Sequence, residues 1–180
     1  MNFQSMTRSL SIVALCALVA ALAGCATASM PEAMVPATAV AGTQHHATTS
    51  VVVAGGSETS AMGKSQISNE AFQQAIVQAI EKNKTFTSVV KAPGGDYTLA
   101  VTVVAMDQPS FGMDFTVKME AAWSLKKADG TVVMQESIKS EGTATMGDAF
   151  VGAERLRLAN EAAARNNIAA ALDKIGKLNF

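Results

Sequence analysis

Three stretches in the second half of the chain alternate between apolar and polar residues, which is typical of β-strands that bury one face. They run from Tyr97 to Ala105, from Phe115 to Lys126 and from about Thr131 to Glu141. Asp129-Gly130 separates the last two stretches, and Asp-Gly between alternating residues predicts a two-residue hairpin turn. The chain must therefore fold around a sheet with one apolar and one polar face.

This turn fixes which residues face each other across the hairpin. The predicted pairs are Leu125–Met134 and Ala121–Ile138 on the apolar face, and Glu120–Lys139 and Lys118–Glu141 on the polar face. Two pairs of opposite charge support the register. Glu136 falls opposite Trp123 on the apolar side. It either lies at a sheet edge or is a functional carboxylate.

The remaining segments add one strand and two helices. Thr49 to Ala54 is rich in β-branched residues and ends at two glycines, which predicts a buried strand. Ser68 is a suitable N-cap for a helix that ends near Asn83 and Lys84. Its apolar residues recur at helical spacing: Phe72, Ala75, Ile76, Ala79 and Ile80.

An Ala-rich helix is predicted from about Asp148 to Leu178. Its stripe contains Leu158, Ala162, Ala169 and Leu172, with Glu161 and Arg165 as an i,i+4 ion pair on it. The order β-α-β-β-β-α predicts an α/β fold, a two-layer sandwich. Its sheet is mixed but mainly antiparallel, with both helices on one face.

Composition excludes several functions. The 180 residues carry 14 Lys and Arg against 15 Asp and Glu, without the basic surplus of a non-specific nucleic-acid binder. Both histidines, His45 and His46, fall in a segment expected to be a linker, which leaves none on the domain for a nucleophilic triad. We therefore expect no enzyme, no metal site and no cofactor.

The first 24 residues have the pattern of a secretory signal, with Arg8 before a short apolar run. The run ends in Leu22-Ala23-Gly24-Cys25, which resembles the lipobox of bacterial lipoproteins. The resemblance implies cleavage before Cys25 and lipidation of its thiol. Ala26 implies sorting to the inner leaflet of the outer membrane, facing the periplasm. The alternative is an ordinary signal peptide, with Cys25 left as a free thiol.

Residues 25–48 are rich in Ala, Thr and Pro without a period, which predicts a lipidated flexible tether before a single domain at 49–180. We expect the tether to enter the domain beside Asp129-Gly130.

The last helix adds a resemblance to a protein family. Its Arg and Asn residues punctuate an Ala-rich sequence: Ala153-Glu154-Arg155-Leu156, Asn160-Glu161-Ala162 and Arg165-Asn166-Asn167-Ile168. With the lipobox, this resembles small proteobacterial envelope lipoproteins. They include YajG-type proteins, ABC-transporter auxiliary lipoproteins and the lipopolysaccharide-assembly lipoprotein. The resemblance implies a non-catalytic envelope role and assigns no site residue except Cys25.

If the first two predicted strands are parallel, three loops meet at one end of the sheet. These loops carry a candidate partner-contact tip formed by Met62, Pro109, Phe111, Met113, Met146 and Phe150. The tip predicts a module that binds an envelope protein, because adaptable Met side chains suit contact surfaces. Two other functions remain open: a lipid or glycolipid carrier, and a tethered structural protein. Phe111 and Phe150 could instead fold back onto the core.

Overall fold

A computed structural model describes residues 26–38, 40, 42–61 and 63–179. The predicted signal peptide at 1–24, the lipidation site Cys25 and the tip residue Met62 lie outside the described residues.

Five strands form one mixed sheet in the order β2-β1-β3-β4-β5. β1 is parallel to β2 and β3, whereas β4 is antiparallel to β3 and β5. The strands are β1 (His45–Ala54), β2 (Phe86–Val90), β3 (Tyr97–Asp107), β4 (Phe115–Lys127) and β5 (Val132–Ala144), and the helices are α1 (Asn69–Asn83) and α2 (Gly152–Ile175).

The two helices form the second layer of a sandwich. α1 packs against β1 and β2, and α2 packs against β4 and β5. Alternate residues of β4 are buried beneath them, and Trp123, Leu125 and Met119 are almost fully enclosed. The predicted α/β two-layer architecture is confirmed.

The predicted hairpin register is also confirmed. Leu125 pairs with Met134 and Ala121 with Ile138. The charged pairs form ion pairs of 3.7 Å for Lys118–Glu141 and 3.6 Å for Lys139–Glu120. Glu136 lies opposite Trp123, but its side chain is exposed because β5 is an edge strand, and it contacts Lys174 Nζ at 3.3 Å. The sheet-edge interpretation of Glu136 is correct.

The prediction for α1 holds residue by residue. Ser68 Oγ accepts a hydrogen bond from the Ala71 N–H at 3.1 Å, and all five predicted apolar residues are buried. Lys84 ends the helix in the left-handed conformation, with φ of 52°. The edge strand β2 was not predicted, because its five residues are too few to show a clear alternation and only Lys84 and Thr85 separate it from α1.

The buried face of α2 differs from the predicted stripe. Leu172 is buried as predicted, but Leu158, Ala162 and Ala169 are only half-buried. The sheet is instead faced by Leu156, Ala159, Ala163 and Asn167. The predicted Glu161–Arg165 pair does not form. Glu161 binds Arg157 and accepts the Met30 N–H at 2.8 Å, while Arg165 donates to the Ala33 carbonyl.

Small residues bring α2 close to β5. A Cβ on Gly142 would overlap the backbone of Ala159 and Ala163. Asn167 crosses the same interface: its Oδ1 accepts the Trp123 indole N–H at 2.8 Å, and its Nδ2 donates to the Ile138 carbonyl at 2.8 Å. The density of Ala in this helix therefore serves close packing against the sheet.

The described residues of the N-terminal segment (26–38, 40 and 42–44) pack along the helical layer instead of forming the predicted flexible tether. Its short 3-10 helix (Glu32–Met34) contacts both α1 and α2, and Met34 is fully buried. Lys82 Nζ donates to the Pro36 carbonyl at 2.8 Å, and the Thr43 N–H donates to the Gly176 carbonyl at 2.8 Å. β1 consequently begins at His45, earlier than the predicted Thr49.

In the described part of the chain, no helix is long and apolar enough to cross a membrane.

A candidate contact surface at one end of the sheet

Three loops meet where β1 and β3 end and β4 begins, as the parallel pairing of β1 and β3 predicted. They span residues 55–68, 108–114 and 145–151, and the last of them leads into α2. Their convergence creates one end of the molecule, opposite the Asp129-Gly130 turn.

Large apolar side chains project into solvent from two of these loops. The exposed fraction is 89% for Phe111, 73% for Met113, 83% for Phe150 and 55% for Val151. We call these four residues the apolar tip. The sequence left open whether Phe111 and Phe150 are exposed or fold back onto the core. In the structure both side chains are exposed. Of the other predicted tip residues, Met146 is 39% exposed and Pro109 is half-buried.

Arg155 joins the two loops of the apolar tip. Its Nη1 donates to the carbonyls of Ala149 and Phe150 at 2.9 and 2.8 Å, and its Nη2 donates to the Gly112 carbonyl at 3.4 Å. The guanidinium lies 5.1 Å from the centre of the Phe115 ring. Because Arg155 is itself buried, it holds the loops from within. Sequence reasoning placed Arg155 in the family resemblance but assigned it no role.

A polar network joins the loop at 55–68 to the loop at 108–114 and to α2. Gln108 Nε2 donates to the Ser65 carbonyl at 2.8 Å and to Asn160 Oδ1 at 2.9 Å. Asn160 Nδ2 donates to the same Ser65 carbonyl at 2.9 Å. Lys64 Nζ reaches Ser110 Oγ at 3.2 Å. The amide of a buried Asn on α2 thus fixes the spacing of two loops.

The N-terminal segment starts at this end of the sheet, although β1, which follows it, begins at the Asp129-Gly130 end as predicted. The Ala26 N–H donates to the Ala61 carbonyl at 3.4 Å, and Ser65 Oγ donates to the Thr27 carbonyl at 2.7 Å. The Ser29 N–H donates to the Gln66 carbonyl at 3.2 Å. The chain that follows Cys25 is therefore docked onto the loop at 55–68.

The carboxylates of Asp148 and Glu154, near the tip, bind neighbouring residues of the chain. Asp148 Oδ2 accepts hydrogen bonds from the Thr145 N–H and hydroxyl, both at 2.8 Å, and these bonds lower the pKa of Asp148. Hydrogen bonds from Arg157 lower the pKa of Glu154. Arg157 holds Glu154 on one side and the buried Glu161 on the other, so this cluster is internally paired.

His45 has a structural role in the core. His45 is buried in β1, not in a linker as predicted, and its Nε2 lies 2.9 Å from the Ile175 carbonyl oxygen. Its ring packs against Phe86 with 5.5 Å between the centroids. Among the residues that the structure describes, no group of three or more His, Cys, Asp or Glu could hold a metal ion.

The uncovered face of the sheet offers a second surface. A depression of about 560 Å³ lies over β3, β4 and β5 and is lined by both cross-strand ion pairs and by Asp107. Another, of about 590 Å³, lies near His46 and Asp96 at the end opposite the tip. Both lie outside the interface between helices and sheet, which Trp123 and Phe72 fill.

Comparison with known proteins adds the following. No protein-family model matches the chain, and no curated protein matches it in sequence. Protein XCC0632 from Xanthomonas campestris, described with family model DUF330, has a TM-score of 0.57 and 16% identity, over 84% of this chain and 93% of that one. The PelC dodecamer from Paraburkholderia phytofirmans has a TM-score of 0.52 and 16% identity, over 77% and 92%.

A third solved structure, hypothetical protein CT253 from Chlamydia trachomatis, has a TM-score of 0.50 and 8% identity, over 72% of this chain and 98% of that one. Likeness at these identities shows a shared bacterial fold. The predicted resemblance to particular lipoprotein families stays a prediction.

Proposed function

We propose that this chain is a lipoprotein of the bacterial cell envelope that acts as a non-catalytic binding or assembly module. Its anchor is lipid on Cys25, held in the inner leaflet of the outer membrane with the domain in the periplasm. The motif Leu22-Ala23-Gly24-Cys25, followed by Ala26, supports the anchor and its location.

The observation that carries the binding role is the apolar tip. Two Phe, one Met and one Val side chain are exposed on loops that Arg155 holds together. Contiguous exposed apolar surface on a folded domain marks a site of contact with another molecule. A rigid surface of this kind binds without first being ordered, which lowers the entropic cost of contact.

The open sheet face is the surface we assign to an envelope protein partner. Its alternating Lys and Glu residues on β4 and β5 are exposed, and β5 is an uncovered edge. An edge strand can add a strand from a partner, and the ion pairs across the face can be exchanged for intermolecular ones.

The packing of the core does not favour the second candidate, a lipid or glycolipid carrier. Such a carrier needs an apolar cavity of about 300 Å³ or more between helices and sheet. Trp123, Ile168 and Leu172 occupy that interface, and the close approach of α2 at Gly142 tightens it further.

The anchor is tested by mass spectrometry of protein extracted from the membranes of a Gram-negative host that expresses the full chain. We expect the mature chain to begin at acylated Cys25. We expect Cys25→Ser to lose both cleavage and acylation. A chain that begins elsewhere, with a free Cys25 thiol, would contradict the proposal.

The contact at the tip is tested in cells by photocrosslinking from position 111, with position 81 as control. Glu81 is exposed near the end of α1, away from both the apolar tip and the open sheet face. We expect a discrete adduct, to lipid or to protein, from position 111 and none from position 81. Equal labelling at both positions would mean that the tip contacts nothing specific.

A further inference from the structure

We propose that the apolar tip is a membrane-docking surface, which inserts into the same lipid leaflet that holds the acyl chains of Cys25. This inference rests on the proposed lipoprotein function, since the anchor brings the membrane to the domain. The apolar tip would then contact lipid, and this contact would set the orientation of the domain relative to the membrane.

The first argument is the length of chain between the anchor and the folded domain. Ala26 is already hydrogen-bonded to Ala61, so Cys25 lies one residue away, with its Cα about 3.8 Å from that of Ala26. A domain attached through so short a connection cannot stand clear of the bilayer. The end that carries Ala26 must face the lipid headgroups.

The second argument is that this end is also the end with the apolar tip. From Thr27 the contacts pass to Ser65, and from Ser65 to Gln108, through hydrogen bonds of 2.7 and 2.8 Å. Gln108 belongs to the loop that carries Phe111 and Met113. The anchor and the tip therefore share one end of the sheet, joined by side chains that fix their separation.

The third argument is the chemistry of the tip. Transfer of Phe and Met side chains from water to the boundary between headgroups and acyl chains lowers the free energy of the system. The two Nη atoms of Arg155 donate to three carbonyls of the two loops, which satisfies those backbone groups behind the apolar side chains, whereas its Nε has no hydrogen-bond partner among the described residues. Because Arg155 is buried within the protein, insertion of the tip at shallow depth does not bring its guanidinium into contact with lipid.

Charge around the tip indicates which membranes it suits. Asp107, Asp114 and Asp148 lie on or beside its two loops, and the nearby cations are the buried Arg155 and Lys64, which is held to Ser110. This balance is acidic, so attraction to anionic lipids does not drive the contact. We expect docking on zwitterionic bilayers, and weaker docking as the anionic lipid fraction rises.

The test uses the mature chain, which begins at Cys25 and holds no other cysteine because Cys16 lies in the signal sequence. The Cys25 thiol is coupled to a maleimide lipid in phosphatidylcholine vesicles whose acyl chains carry bromine. Phe150→Trp places a reporter in the tip, and Val132→Trp places a matched reporter at the opposite end. Trp123 is fully buried and contributes equally to both proteins.

We expect brominated lipid to remove about half of the emission that Trp adds at position 150, because interfacial insertion reaches about 5–10 Å into the bilayer. Emission added at position 132 should be unchanged. Phe111→Trp repeats the test at a second position. If neither tip reporter is quenched in the coupled, folded protein, the inference is overturned.

This result is independent of how Cys25 is modified in cells, because here the lipid is attached chemically. If the tip reporters are not quenched but Cys25 is acylated in cells, membrane docking is overturned and the lipoprotein function is unaffected. A protein adduct from position 111 without quenching overturns it as well, since the tip would then belong to a protein partner. An unacylated Cys25 in cells overturns the proposed function itself.

Discussion

Single buried polar residues hold the two layers together. Asn167 satisfies the Trp123 indole and the Ile138 carbonyl at once, and Asn160 does the same for Gln108 and Ser65. Uniform small residues would let an Ala-rich helix pack on the sheet in more than one position. These amides select one position, because each forms its hydrogen bonds only with its own partners.

Replacing Asn167 by Asp should destabilise the domain by about 3 kcal/mol, since a carboxylate would face the Ile138 carbonyl where an amide donated before. Urea unfolding of the mature chain with Cys25→Ser measures the change. Asn166→Asp, one residue earlier and exposed, should cost about 1 kcal/mol or less. Equal losses for the two variants would disprove this role of Asn167.

Gly142 should be equally sensitive, for a steric reason. A methyl group there meets the backbone of Ala159 and Ala163, which cannot rotate away, so Gly142→Ala should cost about 3 kcal/mol. Gly147→Ala, whose nearest neighbour is 3.3 Å away, is the control and should change stability by about 0.5 kcal/mol at most. Thermal unfolding that ranks the two variants the other way would refute the packing argument.

At the scale of elements, the sequence predicted those structures that depend on neighbouring residues and missed those that depend on distant contacts. The hairpin β4–β5 was predicted in register because Asp129-Gly130 fixes the turn and the charged pairs check it. β2 was missed because a short edge strand has little pattern of its own. The packed N-terminal segment was missed because its partners, Lys82, Glu161 and Arg165, lie far along the chain.

The loop before α2 should loosen in acid. Hydrogen bonds from Thr145 lower the pKa of Asp148, so their stabilisation is present at neutral pH and is lost as the pH falls through the lowered value. The Thr145 amide signal in an NMR titration should therefore shift with a midpoint below the ordinary pKa of an Asp carboxyl. Asp148→Asn should abolish this titration, and Asp107→Asn should leave it intact. A Thr145 signal that still titrates in Asp148→Asn would contradict the assignment.

At the scale of the whole molecule, the N-terminal segment decides orientation. The sequence suggested an anchor at one end and the apolar tip at the other, because an Ala-, Thr- and Pro-rich stretch has the composition of a linker. The structure instead returns this segment along both helices, so that Ala26 reaches the loop at 55–68. Phe111, Met113 and Phe150 of the apolar tip were predicted from the sequence, but Val151 was not, and neither was the position of the tip beside the anchor.

The most direct test of this account is a pair of spin-label distances in the unlipidated mature chain. One label is attached to Cys25 and the other to Phe111→Cys or Val132→Cys. We expect a short, narrow distance from Cys25 to position 111. The distance to position 132 should be longer by roughly the length of the 13-residue β4, about 40 Å. A broad distribution at both positions, or a shorter distance to position 132, would contradict an anchor fixed beside the tip.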